Sequence, residues 1–162
     1  MIAREAMPDD AETIRGIWNY HIRETVATFN SLEKSEEDVC LEILNSREAG
    51  HAFLVAVDNG TVAGFAKYGQ FRPGTGYSGA YEHTVQISRD KTGLGAGRVL
   101  MDAIERHARN SGGHTIIACV SGENHEGMGF HRHLGFDNVS ILPEVGFKFG
   151  RWLDLVLMQK IL

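Results

Sequence analysis

Between Val85 and Arg98 a short alternating, β-like segment runs into a turn. Three glycines at every second position follow, Gly93, Gly95 and Gly97, and then an amphipathic helix. Glycine lets main chain come close to a ligand and take positive φ. The first turn of a helix offers unpaired N–H groups and partial positive charge. Strand, glycine turn and helix together make a cradle for a phosphate compound, although a plain strand-to-helix connection uses the same residue types.

Spacing narrows the kind of cradle. A Walker loop needs a Gly-Lys pair, and the chain has none. A dinucleotide fingerprint needs G-x-G-x-x-G and an acid about 20 residues on. From Gly93 the pattern is G-x-G-x-G, position 98 is Arg98, and residues 113–120 carry no acid. The third form is the acetyl-coenzyme A loop, [RQ]-x-x-G-x-[GA]. Thr92, Gly93, Leu94, Gly95, Ala96 and Gly97 match its spacing, with Thr92 where Arg or Gln is usual. That exchange removes a cation from beside a diphosphate, and Lys91 and Arg98 are the neighbours able to compensate.

The elements that must position this loop follow from periodicity. Residues 2–6 read as a strand, and Pro8-Asp9-Asp10 as a helix start. Ala11, Ile14, Ile17, Trp18 and Ile22 then recur at helical spacing. Ser35-Glu36-Glu37-Asp38 opens a second helix with Val39, Leu41, Ile43 and Leu44 as its apolar residues. Residues 51–58 and 61–71 read as a hairpin around Asn59-Gly60. Residues 72–79 form a turn-rich loop and 81–88 the central strand. Gly95 or Ala96 begins a third helix, with Ala96, Val99, Leu100, Ala103, Ile104, His107 and Ala108 on one face. Residues 115–120 are a buried strand, 124–134 a helix ending at Leu134-Gly135-Phe136, and 137–142 and 151–160 the last strands. Hairpins mixed with crossovers predict an α/β chain with a mixed sheet and helices on both faces.

Composition bounds the rest. The 162 residues predict one domain, 1–162, with 43% hydrophobic and 23% charged residues. A net charge of −5 argues against a nucleic-acid partner. No apolar run is long enough to span a bilayer, and no targeting segment is visible. Cys40 and Cys119 lack CxxC spacing, and reduced thiols in the cytoplasm are the simplest reading.

Four segments now carry a resemblance that covers the whole chain. They are Tyr68-Gly69-Gln70-Phe71-Arg72-Pro73; Glu82-His83-Thr84-Val85; Asn124 with His131 and Leu134-Gly135-Phe136; and Val145-Gly146-Phe147-Lys148-Phe149-Gly150-Arg151-Trp152-Leu153-Asp154. The chain resembles a GNAT-type N-acetyltransferase, more narrowly the phosphinothricin and methionine sulfone/sulfoximine acetyltransferases. The last segment is specific to that subfamily; the glycine turn supports only the superfamily. The resemblance implies a mostly antiparallel sheet of six or seven strands with a splayed central strand. It also implies acetyl-CoA as donor, a small amino-acid-like amine as acceptor, and a cytoplasmic homodimer.

Acetyl transfer to an amine requires a base, because an α-amino group with a pKa of about 8 is mostly protonated at pH 7. The resemblance puts Glu82 on the family's proposed catalytic glutamate, acting directly or through water; the bland reading is a solvated strand-end acid. Strand alternation turns His83 to the opposite face. His131 stands where many GNAT enzymes have a tyrosine and is the candidate acid or second base; its bland reading is a packed helix histidine. His131 and His133 diverge by about 200° on a helix, so no metal is expected. The main chain of Val85, Gln86 and Ile87 is expected to hold the donor, with one N–H at the thioester oxygen. Asn124 binds the pantetheine or thiol end, or merely caps a helix.

For the acceptor, Arg72 offers a planar fork to a carboxylate, with Lys148 and Arg151 as alternatives. Phe29 and Thr28 are candidates for the side-chain pocket. Trp152 reads as core or dimer interface. Two other readings stay open: the same chemistry on a polyamine, an aminoglycoside or a protein N-terminus, and a non-catalytic acyl-CoA sensor.

Overall fold

A computed structural model describes residues 1–162. The chain runs β1 (Ile2–Glu5), α1 (Ala11–Glu24), α2 (Glu36–Glu48), β2 (Phe53–Asp58), β3 (Thr61–Gln70), β4 (Ala80–Ile87), α3 (Ala96–Asn110), β5 (Thr115–Ser121), α4 (His125–His133), β6 (Asp137–Lys148) and β7 (Arg151–Ile161). The strands form one seven-stranded sheet in the order β1-β2-β3-β4-β5-β7-β6. Only β4 and β5 are parallel.

Local chemistry explains most boundaries. Pro8–Asp10 is a 3-10 turn leading into α1. The Asp10 carboxylate accepts two bonds from the Arg4 guanidinium, at 2.7 and 2.8 Å, and one from the Met7 N–H. The Arg4 bonds hold its carboxyl below the usual carboxylate range. Ser35 and Asp38 form a capping box at the start of α2, an arrangement worth about 1 kcal/mol. At the β2–β3 turn both Asn59 and Gly60 have positive φ, 48° and 81°, the type I′ geometry that matches strand twist.

Two apolar layers sandwich the sheet. On one face Ile14, Ile17, Trp18 and Ile22 of α1 and Val39 and Ile43 of α2 pack on Phe53, Val55 and Phe65. On the other, Leu100, Met101, Ile104 and Ala108 of α3, with Met128 and Leu134 at α4, pack on Leu54, Ala66, Ile116, Val156 and Met158. The five apolar positions expected to be buried on α1 are all buried. On α2 the expectation fails for Leu41 and Leu44, which are about half exposed: only one row of this helix meets the sheet. On α3, Val99 and His107 are half-buried while Met101 is fully buried. The strand expected from His51 begins at Phe53.

β6 is twice the expected length. Its pairing with β7 shifts between Leu142 and Gly146, a bulge with Glu144 at φ 52°. The Glu144 N–H donates to the Asp154 carboxylate at 2.9 Å, which bridges the bulge. Pro143 and the bulge interrupt the alternation a strand reading relies on, so residues 143–148 are missed by periodicity.

Candidate active site

The site is a break in the sheet. β4 and β5 pair only from Ala80↔Thr115 to His83↔Ala118; beyond these the strands part. Phe71 N–H donates to Ala80 C=O and Ser88 N–H to Ala63 C=O, each at 2.9 Å. Hydrogen-bonded pairs alternate in an antiparallel ladder, so with the β3–β4 register the main chain of Glu82, Thr84 and Gln86 is bound to β3. The main chain of Val85 and Ile87 turns instead toward β5 and faces the gap. The expectation that Gln86 offers main chain to a donor is therefore corrected: its groups are spent on Phe65. The Ile87 carbonyl is taken by His21 Nε2–H at 3.0 Å. That leaves Val85 N–H and C=O and Ile87 N–H facing no strand.

The gap widens into a cleft of about 1180 Å³. Its two ends differ chemically because they lie on opposite faces of the sheet. On the α3/α4 face it is lined by Lys91, Thr92, Gly93, Gly95, Ala96, Gly97 and Arg98. Gly93 and Gly95 have φ of 81° and 89°, and nothing fills the space beside either Cα. Gly95 is the residue before α3, so the first N–H groups of that helix open onto this end. The exception is Leu94, which is exposed and does not line the cleft. Asn124 caps α4 by accepting the Gly127 N–H on Oδ1 at 2.9 Å, and it also lines the cleft. Its amide NH2 is the part able to meet a ligand.

On the α1/α2 face the lining is Thr25–Asn30, Phe71, Glu82, Thr84, Cys119, Leu142, Leu155 and Leu157. Glu82 is the acid on the central strand here and has no cation partner; Glu123, which also lines the cleft, is paired with Arg151. Glu82 faces Cys119, whose thiol burial and the neighbouring Glu82 charge push up to about 12; such a thiol is inert as a nucleophile. Thr28 and Phe29, the candidates for the side-chain pocket, belong to the lining. Arg72 does not: it lies exposed on the glycine- and proline-rich loop with its guanidinium 5.7 Å from the Tyr77 ring. The expectation that it clamps a carboxylate within this chain is thus not met. Lys148 is not free for that role either, as it is buried and donates to main-chain carbonyls. Arg151 does not line the cleft and is paired with Glu123, which does.

His83 and His131 meet on the α3/α4 face. Their rings are 5.1 Å apart and both pack edge-on against Phe136. His131 Nδ1–H donates to the Gly127 carbonyl at 2.7 Å, so Nε2 carries the lone pair, and it has no partner in the protein. Burial lowers the His131 pKa, and burial and the His131 neighbour lower that of His83 to about 3. Both rings are neutral at pH 7. Glu82 and His131 therefore do not form a contacting acid–base pair; the sheet lies between them.

Some of these groups were invisible to pattern reading. His21 sits one turn past Trp18 on α1 and reads as a surface helix position until β4 is known to end beneath it. Cys119, Leu155 and Leu157 come from neighbouring strands whose register is not written in the sequence.

An acetyltransferase (GNAT) domain model matches residues 4–157. The chain belongs to the GNAT acetyltransferase family. Within that family it is 37% identical to an L-methionine sulfoximine/L-methionine sulfone acetyltransferase of Pseudomonas aeruginosa over 96% of this chain and 91% of the relative. It is 32% identical to a phosphinothricin N-acetyltransferase of Alcaligenes faecalis, over 97% and 80%. Among solved structures, a ribosomal-protein-alanine N-acetyltransferase of Brucella melitensis superposes with a TM-score of 0.97 at 35% identity, covering 100% of both chains. A Salmonella typhimurium acetyltransferase structure with its cofactor acetyl-CoA gives 0.96 at 32%, over 99% and 93%. The α+β fold with its parted central strands is thus that of a GNAT acetyltransferase. No helix of this acetyltransferase is long and apolar enough to cross a membrane.

Proposed function

We propose that this acetyltransferase moves the acetyl group of acetyl-CoA to the α-amino group of a small, methionine- or glutamate-like amino acid analogue, with Glu82 as the base. The observation that carries the acceptor class is the pocket on the α1/α2 face: Glu82, a carboxylate with no cation partner, stands among Phe29, Phe71, Leu142, Leu155 and Leu157, while Glu123 at its rim is spent on Arg151. One unpaired acid in an apolar wall suits one ammonium on a short chain and leaves the further charges of a polycation unpaired.

The residues fit the donor as a group. The glycine turn offers main-chain N–H groups to a diphosphate, with Lys91 and Arg98 as nearby cations. Val85 and Ile87 offer ladder groups that no strand uses, and Asn124 offers its amide. Bound there, acetyl-CoA supplies an activated thioester carbonyl. Glu82 takes a proton from the acceptor ammonium and leaves a nucleophilic amine. The Val85 N–H, already fixed in the strand, donates to the carbonyl oxygen as charge builds on it. Of the two protons the acceptor ammonium gives up in all, one passes through Glu82 to solvent and one goes to the departing sulfur. His131 acts in this reading through Nε2 as an acceptor; burial opposes the imidazolium that an acid would need.

The chain is further proposed to be a homodimer in the cytoplasm. Phe147 and Trp152 pack edge-to-face at 5.0 Å and are 54% and 61% exposed, with Ile141, Val145 and Phe149 exposed on the same hairpin. An apolar patch at a sheet edge suits a second copy. The two cysteines are free thiols, as a reducing compartment allows.

The test is acetyl-CoA consumption with methionine sulfone, methionine sulfoximine, phosphinothricin, spermidine and a short peptide beginning with Ala. Turnover of the first three with none on spermidine supports the reading. Preference for spermidine overturns it. Preference for the peptide instead supports acetylation of a protein N-terminus; the Brucella protein's name is ribosomal-protein-alanine N-acetyltransferase.

A further inference from the structure

The chain from Thr25 to Ser35 that joins α1 to α2 has no regular structure, yet its first part, Thr25–Asn30, walls the acceptor side of the cleft. Such a wall needs fastening. The far end of the connection is held by Asn19, whose amide donates to the Lys34 carbonyl at 2.9 Å and accepts the Lys34 N–H at 2.8 Å. Its near end is held from the other side of the molecule. Lys148, at the end of β6, is only 4% exposed. Its ammonium donates to the carbonyls of Thr28 at 2.6 Å and Thr25 at 2.7 Å, and reaches that of His21 at 3.5 Å. No carboxylate pairs with it, so the His21 and Thr25 carbonyls at the negative end of α1, and that of Thr28 just beyond, replace water around this buried cation. Two residues earlier, Gly146 lies flat against the Phe29 ring: a Cβ there would fall inside the ring's van der Waals surface.

These contacts make sense of Val145-Gly146-Phe147-Lys148-Phe149-Gly150-Arg151-Trp152-Leu153-Asp154 as one device. Asp154 bridges the bulge, which bends the end of β6. Gly146 and Lys148 share the face turned to the α1–α2 connection, and Phe149 and Gly150, at φ 53° and 74°, turn the chain back into β7. We infer that the C-terminal hairpin is the fastener of the acceptor pocket: Lys148 and Gly146 are positioning residues that hold Thr25–Asn30, and Phe29 above all, in place for substrate. This deepens the acceptor reading above and rests on it only for which substrate is used.

Hydrogen–deuterium exchange of the intact protein tests the fastening without any substrate. Lys148→Met keeps the stem and removes the ammonium. Exchange is expected to rise roughly tenfold or more within residues 21–30, in keeping with losing charge-assisted bonds, while β2, β3 and α3 stay protected. Unchanged exchange at 21–30, or a rise spread evenly over the sheet, overturns the inference.

A kinetic arm uses whichever acceptor the screen finds. Lys148→Met should raise the acceptor KM roughly tenfold with the acetyl-CoA KM unchanged, and Lys148→Arg should recover part of the loss. Equal effects on both substrates would mark Lys148 as merely structural.

Should Lys148→Met fail to fold, Gly146→Ala decides. It should disturb residues 25–30 in the wild type but not in a Phe29→Ala background, where the ring it strikes is gone. Additive effects of the two changes overturn the seating of Phe29 on Gly146.

Discussion

Acid should weaken this protein through His83, by an amount the structure allows to be worked out. His83 is 7% exposed and neither ring nitrogen has a partner. Its pKa falls from 6.5 to about 3 in the folded chain. Between those values the unfolded chain binds a proton on this ring and the folded chain does not, so stability is full above pH 6.5 and drains as pH falls toward 3. The slope is about 1.4 kcal/mol per pH unit for one group, which amounts to about 2 kcal/mol between pH 7 and pH 5. His83→Phe fits beside His131 and Phe136 and has no proton to gain. Urea unfolding read from the buried Trp18 at a series of pH values measures both proteins. The variant should lose about 2 kcal/mol less than the wild type on going from pH 7 to pH 5. It should also be no less stable at pH 7, since two unpaired buried nitrogens are removed. Parallel pH profiles would refute the buried, neutral histidine and with it the argument for His131 as a neutral acceptor.

Three further outcomes are expected. Glu82→Gln should lower turnover roughly 10²-fold with coenzyme A binding retained by calorimetry; unaltered turnover removes Glu82 as the base. With its thiol pushed up to about 12, Cys119 should react with iodoacetamide at pH 8 roughly 10³-fold more slowly than a free thiol. Peptide mapping should show that gap narrowing in Glu82→Gln, where the neighbouring charge is gone. Trp152→Lys puts a cation on the exposed hairpin and should halve the mass of the proposed homodimer seen by sedimentation; a dimer that persists in the variant, or a wild type that sediments as a monomer, overturns the proposed interface.

What the sequence discloses depends on how local the cause is. The Asn59-Gly60 turn, the buried stripe Ala11-Ile14-Ile17-Trp18-Ile22 and the Ser35 cap are set by neighbours within one turn, and all are found where periodicity expects them. The glycine cradle before α3 is likewise local. The pocket proposed for the acceptor is not. Leu155 and Leu157 reach it by pairing with Ser121 and Cys119, a register fixed only when the sheet is assembled. Arg72 reads as a loop cation near the central strand, but charge and proximity in sequence do not aim a side chain, and it lies outside the cleft. Lys148 shows the converse: an ordinary strand-end lysine in sequence becomes a buried cation because α1 happens to end beneath it, 120 residues from Thr28 in sequence.

Four residue pairs, from Ala80↔Thr115 to His83↔Ala118, are all the ladder that joins the β1–β4 half of the sheet to the β5–β7 half. A molecule laid along the open edges of Val85 and Cys119 would act as a borrowed strand and stitch the halves together. Ligand affinity and resistance to heat then become one property of the same seam: the melting temperature rises with donor concentration as RT ln(1 + [L]/Kd) requires. Emptied of donor, the two halves keep only those four pairs along the line where the molecule works.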